Sequence, residues 1–189
     1  MEPRAPAGQA SGVGVSRETL PVGETALVVL VPEADALVAA HRLRYDPAAS
    51  AGVPAHVTVL YPFRSYVDDV AIGVVAEIAA GISAFDVNFA TFGRFPGEVV
   101  HLAPDPAEPF RRLTIEAMAA FPDCPPYGGT IADPIPHLTV ADGVDTATAS
   151  DLERLIEPGL PIRSRVDRLT VIAQDPAGRW QVVHHWPLS

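Results

Sequence analysis

The chain switches between two hydrophobic periods, and each switch marks an element. TALVVLVP (25–32) is an unbroken, β-branched run closed by Pro32, the mark of a buried strand. EADALVAAHRLRYD (33–46) carries Leu37, Ala40, His41 and Leu43 at helical spacing. Its acids come first and Arg42 and Arg44 come late, both favourable to a helix dipole. HVTVLY (56–61) has the two-residue period of a strand, and a polar break at 62–69 follows it. VAIGVVAEIAAG (70–81) reads as an apolar helix stopped near Gly81. FDVNFATFGRF (85–95) and EVVHLAP (98–104) read as strands joined at Pro96-Gly97. PAEPFRRLTIEAMAAF (106–121) has a helical apolar face of Phe110, Leu113, Ile115 and Met118. A stiff, turn-rich loop (122–136) leads to the strand HLTV (137–140). A helix follows at 148–158, where Ser150 precedes Glu153 at capping-box spacing. Two strands, 162–174 and 179–188, close the chain as a hairpin around DPAG.

The predicted order is β-α-β-α-β-β-α-β-α-β-β, and its halves are alike. Each holds a helix, a strand with His and Thr, another helix, then two strands joined by a Pro/Gly turn. That echo predicts an α+β fold of two similar lobes rather than one doubly wound sheet. Residues 1–22 are Gly/Pro/Ala-rich and aperiodic and predict a loose tail before a single domain at 23–189. Neither GxGxxG nor GxxxxGK[ST] occurs, so nucleotide binding through those glycine loops has no support.

Composition narrows the picture. The net charge is −10, and all 13 basic residues are arginine. Long duplex nucleic acid, which is held by many cations on phosphates, is not expected as a partner. A small nucleotide in a local pocket remains compatible. Cys124 is the only cysteine, which rules out an internal disulfide and a cysteine metal cluster. No apolar run is long enough to span a bilayer, so a cytoplasmic, soluble monomer with no membrane partner is expected.

The chemistry lies in HVTV (56–59) and HLTV (137–140). Strand period puts His56 and Thr58 on one face and Val57 and Val59 on the other, and the second motif repeats this with His137 and Thr139. If the lobes face each other, two imidazoles and two hydroxyls converge on a cleft. Histidine takes and gives protons near neutrality, so two of them can divide an in-line displacement at phosphorus. Threonine hydroxyls can hold the non-bridging oxygens. Nothing in that scheme needs a metal or a cofactor. Around the motifs, Tyr61, Arg64, Arg94 and Tyr127 are candidates to contact substrate: the arginines through phosphate, Tyr61 by stacking on a base, Tyr127 from a lid. His184 and His185 are adjacent on a strand and face opposite ways, which makes a poor metal pair, and His101 shows no companion. Trp180 and Trp186, six apart, are expected to share one core-facing side of the last strand.

With its two His-apolar-Thr-apolar motifs, the chain from about residue 24 onward resembles the two-histidine (2H) phosphoesterases, which include the RNA 2′,3′-cyclic phosphodiesterases also called 2′–5′ RNA ligases. The resemblance implies a bilobal fold with pseudo-twofold symmetry, each lobe an antiparallel sheet with helices outside, and a central cleft lined by His56, Thr58, His137 and Thr139. It implies a metal-independent phosphodiesterase for a small nucleotide or RNA-end cyclic phosphate, with 2′–5′ ligation as the reverse. By analogy His137 activates water and His56 is the acid, although the residues alone leave the two roles interchangeable. The alternatives are another small cyclic phosphate, such as that of ADP-ribose, or a non-catalytic nucleotide- or RNA-binding module.

Overall fold

The structure is a computed structural model that describes residues 23–65 and 67–189; the tail expected at 1–22 lies outside them. Eight strands are present among the described residues: β1 (Thr25–Leu30), β2 (His56–Leu60), β3 (Phe85–Phe95), β4 (Val99–Asp105), β5 (Leu138–Ala141), β6 (Ile162–Val166), β7 (Arg168–Gln174) and β8 (Trp180–Pro187). They form one antiparallel sheet in the order β6-β3-β4-β5-β2-β1-β7-β8. The helices are α1 (Asp35–Tyr45), α2 (Pro47–Ser50), α3 (Asp69–Ala80), α4 (Glu108–Ala120) and α5 (Thr146–Ile156).

The α+β class and the two-lobed symmetry read from the periodicity are both present. The central seam, β2 against β5, is a single residue pair, Val57 with Leu138. On one side of it lie β2, β1, β7 and β8, and on the other β5, β4, β3 and β6. A twofold at the seam therefore relates β2 to β5, β1 to β4 and β7 to β3. The lobes are not consecutive pieces of chain. The first repeat (β1-α1-β2-α3-β3) gives its last strand to the second half of the sheet, and β7 of the second repeat returns to pair with β1. The helices cross over as well: α1 packs on β5 and α4 on β2.

The strand period now has a physical reading. Val57, Val59, Leu138 and Val140 are buried beneath the helices in the main core, with Leu27 and Val29 of β1 beside them. The alternate residues of β1, Ala26 and Val28, face the other way and build a second, smaller apolar cluster with Val53 and Ile172. That second cluster floors the cleft.

Three expectations need correction. The single strand at 162–174 is two strands, broken at Asp167. β6 pairs with β3 at one end of the sheet, whereas β7 pairs with β1 near the other. The pattern carries the reason: Ile162, Ser164 and Val166 are alternately buried, but Leu169 to Ala173 are buried without a break because β7 is covered on both faces. The helix expected at 148–158 with a Ser150/Glu153 capping box starts two residues earlier and is capped instead by Asp145, whose side chain accepts from the Thr148 N–H. Ser150 lies inside the helix and donates its hydroxyl to the Thr146 carbonyl. Finally, Trp180 and Trp186 do not share a face. In β8 the partner of Val171 is His184 and that of Ile172 is Val182, so Val183 is an extra residue that reverses the parity of the strand. Trp186 is buried toward α3 and donates its indole N–H to the Ile72 carbonyl, while Trp180 turns to the cleft.

Candidate active site

A cavity of about 650 Å³ opens over the seam, and His56, Thr58, His137 and Thr139 all line it. The pairing of Val57 with Leu138 explains their convergence. Extended by one residue each way, it sets His56 across from Thr139 and Thr58 across from His137. The two histidines are then diagonal neighbours on one face, with their Cα atoms about 7–8 Å apart by sheet geometry.

Each histidine is oriented the same way. His56 Nδ1 lies 2.8 Å from the Pro54 carbonyl oxygen, and His137 Nδ1 lies 2.7 Å from that of Ile135. A carbonyl only accepts, so Nδ1 carries the proton in both rings and Nε2 presents its lone pair. Both anchors come from two residues upstream, in the proline-containing segments VPA and IPH that lead into the strands. Burial pushes the His56 pKa down to about 4; the Pro54 carbonyl opposes this, Arg42 and His137 lower it further, and Asp46 raises it. His137 is also held below the ordinary value by burial, against the pull of the Ile135 carbonyl. Both imidazoles are therefore neutral at neutral pH.

Behind His56, Arg42 and Asp46 form a buried pair at 2.8 Å, and Arg42 also donates to the Val53 carbonyl. The pair braces the segment that carries the Pro54 anchor. Removing one partner would leave an uncompensated buried charge there.

The structure brings two of the four peripheral candidates to the cleft. Tyr61 and Tyr127 line it with their rings edge to face at 6.3 Å, and Tyr61 stands likewise at 6.3 Å from Trp180. Tyr61 donates to Glu24, and that carboxylate raises its pKa to about 12. Tyr127 is held in the left-handed region, at φ 50, and its N–H donates to the Tyr61 carbonyl. A non-glycine residue pays a conformational cost there. Burial raises the Tyr127 pKa, and the neighbouring Thr58 hydroxyl partly offsets this, which places the phenol at the first motif. The two arginines are not brought in. Arg64 pairs with Asp123 and Arg94 with Glu153, and neither lines the cavity.

Sequence reasoning missed one residue at the centre. His101 of β4 pairs with Thr139 of β5, stacks on Phe95 at 4.0 Å and meets the His137 ring edge to face at 5.3 Å. Burial lowers its pKa to about 4, and nearby His137 lowers it further. The Val99 carbonyl, two residues upstream as in the other two motifs, only partly offsets this. It is too poorly placed to count as a normal partner, and His101 Nδ1 stays unsatisfied. Gly93 makes room for the ring: a Cβ there would come within 2.3 Å of Nε2. The only signal in the sequence was a lone histidine on a strand; its companion appears once β4 is known to lie beside β5. Trp180, expected on a core-facing side, lines the cavity as well, as do the acids Glu24, Asp46, Asp133 and Asp142, which were not singled out. Among the described residues, no three His, Cys, Asp or Glu side chains are grouped as metal ligands, and no helix is long and apolar enough to cross a membrane.

A sheet of interlocked repeats with a His/Thr pair from each at its seam defines a two-histidine phosphoesterase fold. The model of the 2′-5′ RNA ligase superfamily matches residues 30–178, and the chain belongs to that superfamily. Among solved structures, it is similar to E. coli LigT crystallised with 3′-AMP, with a TM-score of 0.62 and 17% identity over 88% of this chain and 98% of that one. A protein described as a phosphoesterase aligns with a TM-score of 0.55 and 16% identity, over 88% and 98%. LigT crystallised with NADP+ gives 0.52 and 17%, over 89% and 99%. No curated protein matches the chain.

Proposed function

We propose that the protein is a metal-independent phosphodiesterase that opens a 2′,3′-cyclic phosphate of a nucleotide or RNA end, with His56 and His137 as acid and base. The observation that carries this is the diagonal pair of His/Thr sets at the seam, each imidazole locked with Nε2 free. Membership of the superfamily and the resemblance to LigT, which was crystallised with 3′-AMP, support the same ligand class.

The geometry performs the reaction as follows. The cyclic phosphate sits between the rings, with its non-bridging oxygens on the Thr58 and Thr139 hydroxyls. Its negative charge favours an imidazolium beside it, so substrate binding itself raises one histidine from its low free value and creates the acid. The neutral partner takes a proton from water, and the water oxygen bonds to phosphorus. The opposite P–O bond to the ribose breaks as the imidazolium protonates the leaving oxygen, leaving a phosphate monoester and a free hydroxyl. Following the family pattern, His137 is the base and His56 the acid; the roles reverse for 2′–5′ ligation.

The test is turnover of 2′,3′-cyclic nucleoside monophosphates with EDTA present. Turnover that survives EDTA and falls at least ~100-fold in both His56→Ala and His137→Ala is the expected result. Loss of turnover on chelation, or an active single variant, would overturn the mechanism.

A further inference from the structure

We propose that the cleft selects a ligand with one phosphate and a flat ring, a mononucleotide cyclic phosphate rather than the end of an RNA strand, and that its acidic rim enforces the choice. The proposal rests on the cyclic-phosphate reading and narrows its substrate class.

The first observation is charge. A site for a polyanion supplies a cation for each phosphate. Among the described residues no arginine lines the cavity, and the chain has no lysine. The two arginines considered as phosphate contacts, Arg64 and Arg94, are occupied by Asp123 and Glu153. Three exposed carboxylates, Glu24, Asp133 and Asp142, line the cavity instead. Asp133 is met by Arg111 at 3.4 Å. Glu24 and Asp142 have no cationic partner among the described residues; Glu24 accepts only from Tyr61. One phosphate between the histidines is served by two hydroxyls and an imidazolium. A second phosphate has to pass or rest against carboxylates.

The second observation is shape. Tyr61, Tyr127 and Trp180 make an aromatic wall over the apolar floor of Ala26, Val53 and Ile172. A nucleobase stacks on such a wall whatever its sequence context. The carboxylates at the rim also accept hydrogen bonds, which suits ribose hydroxyls and exocyclic amines and not phosphate oxygens.

Binding of reaction products tests the selection without requiring turnover. Calorimetry of the full chain would compare a nucleoside 3′-monophosphate with the matching 3′,5′-bisphosphate at low and high salt. The expected result is at least ~10-fold weaker binding of the bisphosphate at low ionic strength, with the gap shrinking as salt screens the rim. In the Glu24→Gln/Asp142→Asn double variant, the gap closes by several-fold at low salt. Equal or tighter binding of the bisphosphate by the wild type overturns the selection, as does a ratio unmoved in the double variant. The two readings fail separately. Cyclic phosphates turned over with no monophosphate preference would sink only the selection. A monophosphate preference without turnover would sink only the hydrolysis. If neither nucleotide binds, both fall.

Discussion

The two halves of the cleft start from the same motif and end differently. Around His56 the neighbouring strand contributes Val28, and the surroundings are an apolar floor and an aromatic wall. Around His137 the equivalent position is His101, with Phe95 stacked on it. The strand one step further out holds Thr170 beside Val28 in one half and Gly93 beside His101 in the other. Symmetry therefore sets where the protons can move, and the departures from symmetry set what each side holds. The His56 half is built to pack a flat body. The His137 half is built to fix a ring.

The sharpest way to break this comparison is to remove the shared part. His56→Ala and His137→Ala should each lower kcat by ~10²–10⁴-fold, measured on a cyclic mononucleotide. If one variant keeps most of its rate, the halves do not divide the chemistry. The next largest effect should come from the His137 half alone. Gly93→Ala drives a methyl into the His101 ring and should cost ~10-fold in kcat with KM little changed, because the ring that fixes His137 is displaced. His101→Phe, which keeps the stack, should cost less than Gly93→Ala, and the reverse order would give His101 a role beyond packing. In the His56 half, Trp180→Ala should raise KM by ~3–10-fold for a base-bearing substrate while leaving kcat nearly intact. A cyclic phosphate without a base should be indifferent to it. Arg64→Ala and Arg94→Ala should change kcat/KM by less than ~2-fold, since both guanidiniums are exposed and paired away from the cavity. A large loss in either would mean that an arginine swings in when substrate binds.

Acid sharpens the comparison in another way. His56 and His101 sit near pKa 4, below the ordinary 6.5 of an unfolded histidine. Between those values the unfolded chain binds more protons than the folded one, so stability is intact above ~6.5 and is lost as pH falls toward ~4. The melting temperature should drop by ~5–10 °C from pH 7 to pH 4.5, and His101→Phe should remove part of that drop. A flat profile would mean that neither imidazole is held neutral.

The sequence made the chemistry legible because the motif obeys a local rule. A period of two puts His and Thr on one face wherever the strand goes, and Val57, Val59, Leu138 and Val140 reported the buried side directly. What escaped depended on pairing between distant segments. Nothing local distinguishes the break at Asp167 from an ordinary polar strand position, or Val183 from a residue in register. His101 became a neighbour of His137 only through the order of β4 and β5. Arg64 looked like a phosphate ligand because it follows the first motif closely, and Arg94 because it sits beside Phe92 and Phe95 near a turn, yet each is claimed by an acid 59 residues away.

The exchange of strands between repeats also dictates a timetable. β2, with the first histidine, leaves the ribosome early, yet its half of the sheet lacks an outer neighbour until β7 is made roughly a hundred residues later. The other half can assemble in the meantime, because β3, β4 and β5 are neighbours in both chain and sheet. The half-cleft of the first histidine is thus begun first and finished last, and a chain stopped before β7 carries both motifs without the strand that pairs with β1.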